Sequence, residues 1–102
     1  MNRRVVVTGM GMVTPLGLDV ESTWSALLKG RSGVGPISLF DASTFPTRIA
    51  AEVRDLNISR FTANPDRWRE HSRNTLFAIA AAKMALENSD LLDNPKLDRT
   101  RF

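Results

Sequence analysis

Three consecutive valines, Val5 to Val7, form the first hydrophobic run of the chain. Adjacent β-branched residues are typical of a strand buried on both faces, in a sheet that helices cover. This run predicts a strand from Arg4 to Thr8. The next segment, Gly9 to Gly17, contains three glycines and a proline and predicts a turn.

In the following segment, Asp19 to Gly30, the apolar residues recur at helical spacing. Its apolar residues fall on one face of a helix: Val20, Trp24, Leu27 and Leu28. Asp19 is a suitable N-cap, because its carboxylate can accept hydrogen bonds from the first free amides. Gly30 can adopt the left-handed conformation that ends many helices. The segment predicts a short amphipathic helix with Trp24 as a packing anchor.

The segments outside the helices give weaker signals. Residues 31–46 contain two glycines and two prolines, and they predict a connection with one brief extended piece. Thr47 to Val53 predicts a second strand, and Asp55 to Ala63 predicts irregular chain. Near the end, Asn94 and Pro95 predict a turn, and Arg101–Phe102 predicts the start of another strand.

The longest predicted element is a helix that begins after Asn64 and runs to about Ser89. Asn64 is a suitable N-cap, and Pro65 fits the first helical position, where its missing amide would have no partner. The second half, TLFAIAAAKMAL, is apolar nearly all round, which is typical of a buried helix. The rest of the sequence is too short to surround it, so we expect these residues to belong to a larger structure.

Length and composition narrow the class of protein. A chain of 102 residues holds one domain at most, and 42% hydrophobic with 25% charged residues indicates a globular sequence. Gly9 and Pro15 interrupt the first apolar stretch too early for a signal peptide, and no stretch approaches transmembrane length. We therefore expect a cytoplasmic protein with no membrane contact.

Cysteine and charge content limit the available chemistry. The chain has no cysteine and a single histidine, His71, so these residues offer no thiol nucleophile and no metal cluster. Eleven arginines and three lysines give a net charge of +3, without the basic run of a nucleic-acid tail. The arginine fork suits carboxylates or phosphates, so an acidic partner is one expectation and ordinary solvated helix faces are the other.

The pair Gly9-x-Gly11 resembles the start of a dinucleotide-binding loop. That loop needs a third glycine and a helix that opens at once onto the pyrophosphate. Here Thr14 takes the third position, and Pro15 delays the helix to about Val20. The sequence therefore favours a structural turn, and a dinucleotide-binding oxidoreductase fragment remains the alternative.

Several motifs in combination carry a family resemblance. VVVTGMGMVTPLG, the downstream ESTW and the later FAIAAAKMALENSDL resemble the opening of a type II β-ketoacyl-[acyl-carrier-protein] synthase. The resemblance implies an α/β protein: an N-terminal fragment of a thiolase-like fold with five alternating αβαβα layers. Phe77 to Leu86 would be the buried central helix of the first half. Residues 1–102 would form a partial domain that ends before the third strand of the family.

The chemistry implied by the resemblance is fatty-acid elongation. Synthases of this family are acyltransferases that join acyl and malonyl groups on acyl carrier protein by decarboxylative Claisen condensation. They use a cysteine and two histidines, and no residue of this chain matches those positions. We therefore expect no catalytic residue, no metal and no cofactor here, and no activity from the chain alone. The complete enzyme would be a homodimer.

The resemblance also suggests where acyl carrier protein binds. Arg69 matches a basic docking position of the family, and Arg67 and Arg73 lie near it. Asp66 and Glu70 depart from the basic pattern, so an ordinary solvated helix face remains the alternative interpretation. Trp68 would be a packing anchor and His71 a surface residue.

A third interpretation is a non-catalytic interaction module that completes its fold with another polypeptide.

Overall fold

The computed structural model describes residues 2–101. The chain forms two compact units, one of residues 2–12 with 58–101 and one of residues 13–57. We call the first the terminal unit and the second the central unit. The central unit holds helix α1 (Val20–Leu28) and strands β1 (Val34–Pro36) and β2 (Ile49–Ala51), and the terminal unit holds helix α2 (Arg73–Ser89).

Helix α1 begins and ends where the sequence predicts. The Asp19 carboxylate accepts a 2.7 Å hydrogen bond from the Ser22 amide. After Lys29, Gly30 takes the left-handed conformation with φ of +66°, which a residue with a β-carbon adopts only with strain. Local capping therefore explains both ends of this helix.

The predicted burial of the apolar face of α1 is wrong for this chain. Thr23 and Ala26 are the buried residues of the helix. Trp24, Leu27 and Leu28 are 53–70% exposed, so Trp24 does not act as a packing anchor here. The central unit has two three-residue strands, and so small a unit offers too little apolar surface to cover this face.

Strands β1 and β2 form an antiparallel pair in which Val34 faces Ala51 and Pro36 faces Ile49. The amide of Ile37 continues the pairing with a 2.9 Å hydrogen bond to the Arg48 carbonyl. β1 is the brief extended piece expected between the helices. The predicted second strand is confirmed at its centre and is shorter than Thr47 to Val53.

The predicted strand from Arg4 to Thr8 is absent from the secondary structure of residues 2–101. Val5 and Val7 are 94% and 81% exposed, so the expected burial on both faces is wrong for this chain. A strand needs a neighbouring backbone to complete its hydrogen-bond ladder. No described segment provides that backbone to these residues.

The predicted single helix from Asn64 to Ser89 is divided in two. A 3₁₀ helix spans Pro65–Trp68, and α2 begins only at Arg73. Pro65 occupies the first position as expected, but the Asn64 side chain makes no capping bond. Ser72 is extended, with ψ of 155°, and its side chain makes no capping bond to the backbone. Its hydroxyl lies 3.3 Å from the Thr75 hydroxyl instead.

Helix α2 is less buried than its composition predicts. Ala80 is its one buried residue, whereas Asn74, Ala78 and Ala82 form an exposed stripe at four-residue spacing. The expectation of a helix buried on every side is therefore wrong for this chain. The described residues place no covering layer over that stripe. None of the described helices combines the length and hydropathy that a membrane crossing requires.

The chain after α2 consists of short turns. Asp90 ends the helix in the left-handed conformation, and a 3₁₀ helix follows at Leu91–Asp93. The turn predicted at Asn94 and Pro95 is confirmed by the 3.1 Å hydrogen bond from the Leu97 amide to the Asn94 carbonyl. Arg101 lies in a 3₁₀ turn and not in a strand, and Phe102 lies outside the described residues.

Candidate functional site

The two glycines of the opening segment lie directly against helix α2. A β-carbon on Gly11 would overlap the Ala81 carbonyl oxygen and lie 2.9 Å from the Ala85 nitrogen. A β-carbon on Gly9 would overlap the Ala85 carbonyl oxygen and lie 2.7 Å from the Ser89 nitrogen. Backbone therefore packs on backbone, a distance that only glycine permits.

A hydrogen bond fixes this contact along the helix. The amide of Met10, between the two glycines, donates to the Asn88 side-chain oxygen at 3.0 Å. Such a bond satisfies a backbone donor that has no strand partner. The opening segment is thus held by the second half of α2 and not by a helix amino terminus, which is where a dinucleotide loop holds phosphate.

Thr14 closes the turn that follows. Thr14 and Gly17 exchange backbone hydrogen bonds of 2.9 and 3.2 Å. The Thr14 hydroxyl also accepts from the amides of Leu16 and Gly17, both at 3.1 Å, and lies 3.0 Å from the Thr23 hydroxyl. The residue that replaces the third fingerprint glycine therefore has a structural role. This geometry favours the structural interpretation of the glycine loop.

The basic segment, Pro65 to Arg73, contains the three arginines expected to bind a partner. Each arginine contacts a different group. The Arg67 guanidinium lies 5.1 Å from the centre of the Trp68 ring, and that of Arg73 lies 5.2 Å from the centre of the Phe77 ring. Arg69 Nε lies 3.0 Å from Asp66 Oδ1.

The charge of the basic segment is modest. Its three arginines are opposed by Asp66 and Glu70, which leaves a net charge of +1 with His71 neutral. The arginines are all exposed, and the in-plane donors of a guanidinium can bind a carboxylate even when a ring lies against its flat face. The segment therefore has the chemistry to bind an acidic surface, with two acids that weaken it.

His71 has packing contacts in this segment. Its amide donates to the Trp68 carbonyl at 3.0 Å, and the two rings lie 5.2 Å apart in a tilted arrangement. Trp68 is half-buried, as a packing anchor would be, whereas His71 is exposed as predicted. Among residues 2–101, no group of three or more His, Cys, Asp or Glu side chains is arranged to hold a metal ion.

The structure also reveals a carboxylate cluster that the sequence analysis missed. The Glu52 carboxylate accepts hydrogen bonds from the Ser38 hydroxyl at 2.7 Å, the Ser38 amide at 3.0 Å and the Leu39 amide at 3.3 Å. The Ser38 hydroxyl and amide bonds lower the pKa of Glu52, although burial opposes them. Fourteen residues separate these partners, so the strand register must be known before they can be paired.

An open cleft of about 280 Å³ lies beside this cluster, lined by residues 32–36 with Pro15, Glu52 and Arg54. Its charged groups already have partners. Arg54 lies 3.6 Å from the Glu52 carboxylate and donates to the Pro36 carbonyl at 3.4 Å. The cleft is therefore better explained as part of the hairpin than as a ligand site.

The protein family of the chain follows from its match to a family model. The model described as β-ketoacyl synthase, N-terminal domain, matches residues 2–102. The chain belongs to the β-ketoacyl synthase family. It is 49% identical over 89 residues to 3-oxoacyl-[acyl-carrier-protein] synthase 2 of Coxiella burnetii, which covers 87% of this chain and 21% of the relative.

Two further relatives extend this finding. The chain is 42% identical over 102 residues to the granaticin polyketide putative β-ketoacyl synthase 1 of Streptomyces violaceoruber, which covers all of this chain and 24% of the relative. Among solved structures, the ishigamide ketosynthase/chain length factor matches with a TM-score of 0.75 and 36% identity, over 89% of this chain and 22% of that one. The β-ketoacyl synthase chain thus spans about a fifth to a quarter of these relatives.

These matches confirm two predictions from the sequence. The family resemblance carried by the opening glycine motif and by the alanine-rich helix is correct. The fold class is also confirmed, since the β-ketoacyl synthase chain is an α/β fragment of thiolase-like type. The glycine contacts on α2 are thus a feature of a ketosynthase amino-terminal segment.

Proposed function

We propose that this chain is the amino-terminal part of a β-ketoacyl-[acyl-carrier-protein] synthase that elongates fatty acids. The family match over residues 2–102 carries the proposal. The reaction transfers an acyl group to the enzyme and condenses it with a malonyl group on carrier protein, with loss of carbon dioxide. In this proposal the complete enzyme is a cytoplasmic homodimer.

Within that enzyme, the chain would act as a scaffold and would not supply the nucleophile. The sequence contains no cysteine, and the proposed ketosynthase reaction uses a cysteine thiolate as its nucleophile. Its one histidine is exposed, and its ring lies tilted against that of Trp68. The close packing of Gly9 and Gly11 on α2 supports the scaffold role, because it fixes the opening segment on a helix. We expect the chain alone to be inactive.

The proposed second role is docking of acyl carrier protein through Arg67, Arg69 and Arg73. Carrier proteins of this system are acidic, and exposed guanidinium groups are suited to carboxylates. The exposure of all three arginines supports this role. Because Asp66 and Glu70 offset part of the positive charge of these arginines, we expect weak and salt-sensitive binding.

A condensation assay tests the proposed activity. The full-length polypeptide that carries this chain is incubated with acyl and malonyl carrier proteins, and carbon dioxide and 3-oxoacyl product are measured. We expect both from the full-length polypeptide and neither from residues 1–102 alone. Absence of product from the folded full-length polypeptide would refute the proposal. Retention of a labelled dinucleotide in equilibrium dialysis would favour the oxidoreductase alternative.

The exposed apolar surface supports a second candidate, an interaction module that pairs with another polypeptide. In the central unit, Trp24 and Leu28 are each at least 60% exposed, and apolar groups of this kind are typical of a surface that something else covers. Sedimentation of the isolated chain tests whether it needs a separate partner polypeptide. A compact monomer would count against any need for a separate partner, whereas self-association or aggregation would support one.

A further inference from the structure

Asp66 and Arg69 form an ion pair within a single turn of the basic segment. Besides the 3.0 Å contact between their side chains, the Arg69 amide donates to the Asp66 carbonyl at 3.4 Å. Side chains three residues apart lie almost above one another in a 3₁₀ turn. The pairing is therefore built into the local backbone and requires no other part of the chain.

Solvent reaches both members of this pair, whose side chains are each 74% exposed. Water and salt screen an exposed ion pair, and the lost freedom of two side chains opposes it. Such a pair is easily exchanged for a carboxylate from another molecule. Asp66 thus contacts Nε of Arg69, but another carboxylate can replace it there.

The neighbouring arginines are engaged differently. Arg67 lies against the Trp68 ring and Arg73 against the Phe77 ring. A ring contacts the flat face of a guanidinium, whereas an acidic partner binds its in-plane donors. At Arg69, the internal carboxylate takes Nε, one of the donors that a partner carboxylate can use. Competition with the partner is therefore direct at this arginine.

We propose that Asp66 is a specificity-determining residue of the basic segment, because it competes with the acidic carrier protein for Arg69. The inference rests on the docking role proposed above. Asp66 lowers the affinity for any acidic surface, so that stable binding requires a partner carboxylate placed well enough to displace it. Removal of the Asp66 charge should strengthen binding and weaken this discrimination.

Glu70 provides a matched control. It is exposed and lies next to Arg69 in sequence, but no hydrogen bond or ion pair of its side chain is found among the described residues. Asp66→Asn and Glu70→Gln remove one negative charge each from the same segment. They differ in that only the first removes an ion pair with Arg69. Comparison of the two separates competition for Arg69 from a general change in charge.

The test measures binding of acyl carrier protein to the full-length polypeptide at about 0.01 M ionic strength, where screening is weak. We expect Asp66→Asn to lower the Kd and the KM for carrier-bound substrate by about two- to fivefold. Glu70→Gln should have a smaller effect. In an Arg69→Gln background, the excess of Asp66→Asn over Glu70→Gln should disappear. Circular dichroism confirms that each variant is folded.

Equal gains from Asp66→Asn and Glu70→Gln, or a gain that persists without Arg69, would overturn the competition. A parallel measurement uses a polyglutamate peptide as the probe. If carrier protein binds neither the wild type nor any variant, the docking role is wrong. The competition is then judged with polyglutamate alone: tighter binding by Asp66→Asn supports it, and unchanged binding overturns it.

Discussion

The Ser38 hydroxyl donates a 2.7 Å hydrogen bond to the carboxylate of Glu52, fourteen residues later in the chain. The Glu52 side chain is only 6% exposed, and its carboxylate also accepts from two consecutive backbone amides. The bonds link the residue that follows β2 to the segment that follows β1. They stabilise the hairpin more strongly while the carboxylate is ionised, because a neutral acid is a weaker acceptor.

The lowered pKa of Glu52 predicts that the stability of the fold depends on pH in the acidic range. A carboxyl whose pKa is lower in the folded state contributes stability above its unfolded value, about 4.3, and loses it as the pH falls through the folded value. We expect the free energy of unfolding of wild type to exceed that of Glu52→Gln at neutral pH. The difference should shrink steadily below about pH 4.

Denaturant titrations of wild type, Glu52→Gln and Asp93→Asn at several pH values test this expectation. Asp93 is an exposed carboxylate with no hydrogen bond or ion pair recorded among residues 2–101, so its variant controls for the loss of one charge. A difference between wild type and Glu52→Gln that stayed constant down to pH about 3 would contradict the assigned cause.

The Gly11 contact predicts a severe effect of a single methyl group. Gly11→Ala would place its β-carbon in the Ala81 carbonyl, so the opening segment must move from α2. We expect a loss of about 1–3 kcal/mol in the free energy of unfolding. Gly35→Ala is the matched control, because its β-carbon would lie 3.9 Å from the nearest atom, Arg54 Nη2. Equal stability of the two variants in urea titrations would argue against the close contact.

The Asp19 cap predicts a smaller, local loss. Asp19→Ala removes the acceptor of the Ser22 amide and should cost about 1 kcal/mol. Glu21→Gln removes a charge from the same first turn without removing the cap, and should cost a few tenths of that, about 0.3 kcal/mol. Hydrogen exchange at the Ser22 amide reports the effect directly. Unchanged protection in Asp19→Ala would show that another group caps the helix.

The docking proposal predicts a kinetic effect of charge reversal. Replacement of Arg69 and Arg73 by glutamate in the full-length polypeptide should raise the KM for carrier-bound substrate by about three- to tenfold at low salt. The effect should diminish as salt is added. Arg31→Glu, an exposed arginine of the central unit, is the control. An unchanged KM at low salt would remove the docking role.

The sequence predicts those parts of the fold that depend on neighbouring residues. Helix α1 has its cap and its terminal glycine within twelve residues, and both act as expected. The break at Ser72 was missed because Pro65 and Asn64 indicated a single start. A serine before Arg73 is a weaker signal than an Asn-Pro pair, yet it marks the observed beginning of α2.

The sequence fails where an element depends on distant backbone. Val5 to Val7 has the composition of a buried strand, but burial requires a neighbouring strand and covering helices. The Glu52 cluster likewise depends on the register of β1 and β2. At the basic segment, the positions of Arg67, Arg69 and Arg73 were available from the sequence. The ring contacts and the pairing of Arg69 with Asp66 required coordinates.

The alternation of Gly9, Met10 and Gly11 has a consequence for chain length. In extended chain, neighbouring residues point in opposite directions, and Met10 is exposed while both glycines touch α2. A one-residue deletion or insertion beside Gly11 would turn a methionine side chain toward the Ala81 carbonyl. Related proteins that keep this helix contact should therefore vary in the identity of residue 10 but preserve the interval between the two glycines.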